Sequence, residues 1–206
     1  MKIKICGITR PEDAQAVVDA GADYLGFIFY EGSPRYVTPE KAAAILAGLK
    51  GEIKTVGVFV NAPAGQIFDI IAQCRLDVVQ LHGDEPEAFA AQFPRRQVWK
   101  AVHLREASEI ERWRGYPASA LVLDARCGDR RGGTGRRCDW NLAALAAERF
   151  PVVLAGGITP DNAVAAALAV RPVGLDVNSG VETVPGVKDP DKIKTLINHL
   201  KNTGIC

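Results

Sequence analysis

Two residues in this sequence have the types and settings that proton transfer requires. Cys6 ends a short apolar run containing Ile3 and Ile5, and Gly7 follows at once. Asp124 ends a second run, Ala120-Leu121-Val122-Leu123. A thiol and a carboxyl on opposite sides of a substrate can remove a proton at one atom and supply one at another. Each residue also has a plain structural reading. Free cysteines commonly act as small buried hydrophobes, and an aspartate can cap the segment that follows it.

Other polar groups stand at the ends of apolar runs in the same way. Arg35 lies in Ser33-Pro34-Arg35-Tyr36, and its planar fork suits a carboxylate. Gly156-Gly157 ahead of Thr159, together with Ser179-Gly180, has the form of a phosphate site built from backbone N–H groups. The same glycines also fit ordinary turns. Asn61, Gln80, His82, Lys100, His103, Asp176 and Asn178 complete the set. The histidines show no metal-type spacing with carboxylates, so neutral hydrogen-bonding roles are expected of them and no metal is called for.

The elements that must position these groups alternate from end to end. Strands are expected over 3–6, 24–29, 55–60, 78–82, 98–102, 120–124, 152–155 and 174–178, all continuous apolar runs suited to parallel strands buried on both faces. Amphipathic helices fit between them, with short ones at 86–92 and 105–114. Thr9-Arg10-Pro11-Glu12 has capping-box form with Thr9 as N-cap. Thr38-Pro39 and Thr159-Pro160 read as N-caps followed by proline. Eight such units in 206 residues point to a single-domain (β/α)8 TIM barrel over residues 1–206. The alternative, an open doubly wound sheet, lacks a G-x-G-x-x-G after its first strand. In a barrel the C-terminal strand ends carry the active site, and strands one and six lie three steps apart around the ring. Cys6 and Asp124 would then face each other across its mouth.

Composition narrows the function classes. The net charge is +1, which gives no bulk attraction to nucleic acid or membrane. No apolar run approaches the ~20 residues of a membrane helix. The five cysteines form neither a C-x-x-C pair nor an even-numbered framework, and the N-terminus shows no signal-peptide layout. A reducing, cytoplasmic setting is expected. The arginine-rich stretch 125–139, around Gly132-Gly133-Thr134-Gly135, is broken by Asp129 and Asp139. It reads as a glycine-rich flap over an anionic ligand rather than a nucleic-acid patch.

The motifs taken together resemble one family. Lys4-Ile5-Cys6-Gly7-Ile8-Thr9, Ser33-Pro34-Arg35-Tyr36, Val79-Gln80-Leu81-His82-Gly83, Gly132-Gly133-Thr134-Gly135, Ala155-Gly156-Gly157 and Asp176-Val177-Asn178-Ser179-Gly180-Val181-Glu182 are similar to stretches of phosphoribosylanthranilate isomerase, the barrel enzyme of tryptophan biosynthesis. The resemblance implies an Amadori rearrangement of N-(5-phosphoribosyl)anthranilate, with Cys6 as general base and Asp124 as general acid. It implies Arg35 at the anthranilate carboxylate, Asp176 and His82 near the substrate, and Gly156, Gly157, Ser179 and Gly180 at the phosphate. It implies no cofactor, and a thiolate serves as its base if the pKa of the thiol is lowered. The sequence departs from the family at Arg136-Arg137-Cys138 and at Asn178, where serine is common. The expected partner is a small phosphorylated substrate, with no nucleic acid or membrane, and the expected assembly is a monomer or homodimer. The competing expectations are another phosphate-binding barrel enzyme, or a barrel that binds a phosphorylated ligand without catalysis.

Overall fold

A computed structural model describes residues 1–124 and 140–204. Eight strands close into a parallel barrel in sequence order. They are β1 Lys2–Ile5, β2 Tyr24–Ile28, β3 Lys54–Phe59, β4 Val78–Leu81, β5 Val98–Val102, β6 Ala120–Asp124, β7 Val152–Ala155 and β8 Gly174–Val177. The ring is sealed where β1 meets β8, with Lys4 registered on Asp176 and Ile5 on Val177. Five expected strands run one residue too far at their C-terminal ends, because Cys6, Phe29, Val60, His82 and Asn178 already belong to the loops. The arginine-rich stretch 125–139 lies outside the described residues.

Helices α1 Pro11–Ala20, α2 Pro39–Ala47, α3 Ala64–Cys74, α4 Glu87–Ala90, α5 Trp140–Ala147, α6 Ala163–Val170 and α7 Pro190–Asn202 follow the strands. The spacing in α7 shows why they dock. Ile193, Leu196, Ile197 and Leu200 lie on one face and are fully buried, each contributing roughly 1.5–3 kcal/mol by its removal from water. Asp189 caps α7, its carboxylate accepting from the N–H groups of Asp191 and Lys192. Thr38 caps α2 as its sequence predicts.

The other two threonine caps do not form. Thr9 instead donates its hydroxyl to Gly186 O at 2.5 Å, and Arg10 stands extended at the head of α1 without a side-chain cap bond. Beyond Thr159 the helix starts only at Ala163, because Asn162 uses its amide to close the preceding loop. The expected helix at 105–114 is a 3-10 helix, Ala107–Trp113, and α4 is a single turn. An antiparallel hairpin absent from the expected elements, β9 Glu182–Val184 with β10 Val187–Lys188, follows β8.

Candidate active site

Side chains alternate along a strand, so every second residue of each barrel strand faces inward. Val56, Val78, Trp99, Ala101, Ala120, Val122 and Val153 form a cluster of their own inside the ring, with Tyr24 and Ala155 against it. The same alternation turns Lys4, Gln80 and Asp176 inward. One step nearer the mouth it brings in Cys6, His82 and Asp124. The barrel therefore has an apolar plug and, on its C-terminal side, a polar layer.

That layer is held by one buried cation. Lys4 Nζ donates to Asp176 Oδ2 at 2.7 Å and to Gln80 Oε1 at 3.0 Å. Gln80 in turn lies 3.0 Å from His82 Nδ1 through its amide nitrogen. Lys4 is only 1% exposed and Asp176 8%. Burial pulls the Lys4 ammonium down, but Asp176 and Cys6 outweigh it and the net shift is upward. Among the described residues, the Asp176 Oδ1 atom is buried with no hydrogen-bond partner. An orphan carboxylate oxygen costs free energy unless a ligand satisfies it.

Cys6 is 5% exposed. Burial pushes its thiol up, Lys4 pulls it down, Asp176 pushes it up again and Lys188 opposes. The net direction is upward, against the lowered value expected of a nucleophilic or basic cysteine. Burial also lowers His82, with Lys4 adding to the effect while Asp176 and Asp124 work against it. His82 is thus neutral near pH ~7.

Arg35 is brought to the same mouth by a turn in which its N–H donates to Ser33 Oγ and Tyr36 pairs back with Ile28. Its guanidinium meets Glu182 through two bonds, Nε to Oε1 at 2.8 Å and Nη2 to Oε2 at 2.6 Å. Glu182 also accepts from Lys188 Nζ at 2.8 Å and from the Gly186 N–H at 3.2 Å. Burial raises the Glu182 carboxyl, but the hydrogen bonds from Arg35 and Lys188 prevail and hold it down to about 2. Gly7, at φ 74°, makes room for this arrangement. A Cβ there would lie 2.7 Å from both Arg35 Cδ and Asn178 Oδ1.

The two glycine loops also meet. Gly156 and Gly157 have φ of 86° and 68°, a conformation L residues rarely adopt. Asn162 pins this loop by donating to Gly157 O and accepting from the Thr159 N–H. The 3-10 turn Ser179–Val181 packs against it so closely that a Cβ on Gly180 would fall 1.8 Å from Ile158 O. Among the described residues, a Cβ on Gly157 would meet nothing within 4 Å. The tight contact is therefore at Gly180, and Gly157 lines open space. Among the described residues no three His, Cys, Asp or Glu side chains converge closely enough to hold a metal ion.

Lys100 turns away from the mouth group. It pairs with Glu85 at 2.9 Å, both side chains 3% exposed, and donates to Gly83 O. Glu85 accepts in addition from the Asn61 and Gly83 N–H groups, so this pair fixes the loop that carries His82. Lys4, Glu182 and Lys188 have no assigned role in the sequence reading. Lys4 was within reach of it, since it stands two residues before Cys6 and so shares its strand face.

Residues 3–199 match the family model described as N-(5'-phosphoribosyl)anthranilate (PRA) isomerase. An isomerase of that name from Pelobacter propionicus is 50% identical over 203 residues, spanning 98% of this chain and 97% of its own. The solved structure of monomers derived from the dimeric phosphoribosylanthranilate isomerase of Thermotoga maritima superposes with a TM-score of 0.86 at 41% identity, over 98% of this chain and 99% of that one. A phosphoribosyl anthranilate isomerase solved with reduced 1-(o-carboxyphenylamino)-1-deoxyribulose 5-phosphate gives a TM-score of 0.86 at 40% identity, with the same coverage.

Proposed function

The chain belongs to the N-(5'-phosphoribosyl)anthranilate isomerase family, and from that premise we propose that Cys6 and Asp124 are its base and acid in the tryptophan-pathway rearrangement. The observation that carries the assignment is their common placement. Each stands at the C-terminal end of a barrel strand in the inward-facing register, Cys6 directly after β1 and Asp124 as the last residue of β6.

Asp124 gives its proton to the ribose ring oxygen, the C1′–O4′ bond opens, and the anilino nitrogen becomes an iminium. That cation acidifies the proton on C2′. The Cys6 thiolate removes it, forming S–H, and the electron pair flows into an enamine. Protonation at C1′ and loss of the enol proton then give the ketone. Atoms and electrons are only redistributed, so the step needs no external oxidant or reductant. The Asp176 Oδ1 oxygen accepts a substrate hydroxyl, which removes its burial cost. Arg35, anchored by Glu182, meets the anthranilate carboxylate. The 5′-phosphate sits on the Gly156–Gly157 and Ser179–Gly180 loops. The protein acts as a cytoplasmic enzyme, either a monomer or a homodimer, and sedimentation distinguishes the two.

The test is consumption of phosphoribosylanthranilate by the purified protein, followed by its anthranilate fluorescence. Cys6→Ala and Asp124→Asn should each lower kcat by about 10²–10⁴. Near wild-type turnover in either folded variant would remove that residue from the mechanism.

A further inference from the structure

Lys4 exchanges no proton in that scheme, yet it is buried more completely than the cysteine it stands beside. A buried ammonium must be compensated on every side. Two of its directions are taken by Asp176 Oδ2 and Gln80 Oε1, at 2.7 and 3.0 Å. The third neighbour is the Cys6 sulfur, two residues along the same strand face. Gly26 on β2 lies against both side chains. A Cβ at that position would lie 3.0 Å from Cys6 Sγ and 3.0 Å from Lys4 Cε, so both side chains close over one bare stretch of backbone.

We propose that Lys4 is the positioning residue of the thiol: its ammonium is the counter-ion against which the Cys6 thiolate forms, and Asp176 competes with that thiolate for the same cation. This rests on Cys6 being the base. The charged groups around the sulfur come from several elements. Lys4 is on β1, Asp176 on β8 and Lys188 on β10, and Arg35 packs against Gly7, the residue after the cysteine. Lys188 is the rival cation, but its charge is taken up by Glu182 at 2.8 Å and its ammonium also donates to Asn178 Oδ1 at 2.9 Å. Arg35 is likewise neutralised by Glu182. Lys4 is the cation whose anion, Asp176, keeps a second oxygen unpartnered among the described residues. A substrate hydroxyl on that oxygen draws charge away from the Lys4 contact and leaves more of the ammonium to the sulfur. The thiolate would then be favoured when substrate is in place, whereas the empty site keeps a protonated, less reactive thiol.

The experiment reads the thiol directly. Alkylation of Cys6 by iodoacetamide, quantified on its peptide by mass spectrometry, is measured against pH. In Lys4→Met the midpoint should rise by about one unit or more, a tenfold loss of thiolate at a fixed lower pH. Asp176→Asn should shift it downward. Lys4→Met leaves a buried carboxylate without its cation, which works against folding, so the Lys4→Met/Asp176→Asn pair is compared with Asp176→Asn alone. A higher midpoint in the double variant supports the proposal, and an unchanged one overturns it. A shift confined to Lys188→Met also overturns it, by naming Lys188 as the counter-ion. These labelling readouts do not depend on turnover. If alkylated wild-type protein stayed fully active, the assignment of Cys6 as base would fail while the midpoint comparison still judged Lys4.

Discussion

Replacing Glu182 by glutamine removes one charge and almost no volume, and its cost follows from the contacts. The side chain is 4% exposed and accepts from Arg35, Lys188 and the Gly186 N–H. These partners hold its carboxyl at about 2, against 4.5 for the ordinary group. A difference of that size corresponds to about 3 kcal/mol of folding stability near pH ~7. Because the folded value is the lower one, this stability is fully present above the unfolded value. It is lost as the pH falls through the interval between them. Near pH ~5 about 3 kcal/mol remains, and near pH ~3.5 about 2 kcal/mol. The scale agrees with the roughly 3–5 kcal/mol lost when one member of a buried pair is removed. Urea unfolding of wild type and Glu182→Gln at these pH values reads the gap directly. A gap below about 1 kcal/mol near neutrality, or one that does not shrink on acidification, would refute the reasoning.

Three other perturbations bear on different parts of the site. Arg35→Ala should raise KM by the equivalent of roughly 1.5–3 kcal/mol, and Arg35→Lys should rescue poorly because it lacks the planar fork; steady-state kinetics would show an unchanged KM if the carboxylate bound elsewhere. Gly180→Ala should displace the loop after β8, since its Cβ would run into Ile158 O, and should weaken competition by inorganic phosphate far more than Gly157→Ala does; equal inhibition constants would place the phosphate elsewhere. Lys100→Met leaves Glu85 buried and unpaired and should cost about 3–5 kcal/mol in denaturant unfolding; a loss under 1 kcal/mol would mean that the His82 loop does not depend on this pair.

Much of this architecture is legible in the sequence because parallel strands buried on both faces leave unbroken apolar runs. The runs ending at Ala155 and Asp124 were bounded to the residue. Helix starts were harder to read. Thr9 and Thr159 have the right type for N-caps, but tertiary partners decide their use: one hydroxyl goes to Gly186 O, and the other threonine offers its N–H to Asn162. Lys4 illustrates a different difficulty. A lysine in a strand reads as a solvent-facing residue, and only the registration of β1 on β8 reveals an aspartate directly opposite it. Glu182 and Lys188 depend on a short hairpin with almost no periodic signal, so no pattern along the chain announces their ion pair. The direction of the thiol's shift has no sequence signal, because the burial that raises it is a property of the closed ring rather than of the local sequence.

The seam between the first and last strands has a consequence for when the enzyme comes into being. Lys4 and Asp176 are 172 positions apart, among the longest-range contacts of the chain. A polypeptide that has left the ribosome only through β7 already carries Cys6, Asp124, Arg35 and the Gly156–Gly157 loop. It has no carboxylate for the buried lysine, no Glu182 to orient the arginine and no Ser179 loop for the phosphate. Catalysis should therefore switch on in one step, when the final strand is added, instead of growing with chain length. Two fragments divided between α6 and β8 would each be inert and would recover turnover only on reassembly. Isomerisation of substrate would then serve as a stopwatch for ring closure.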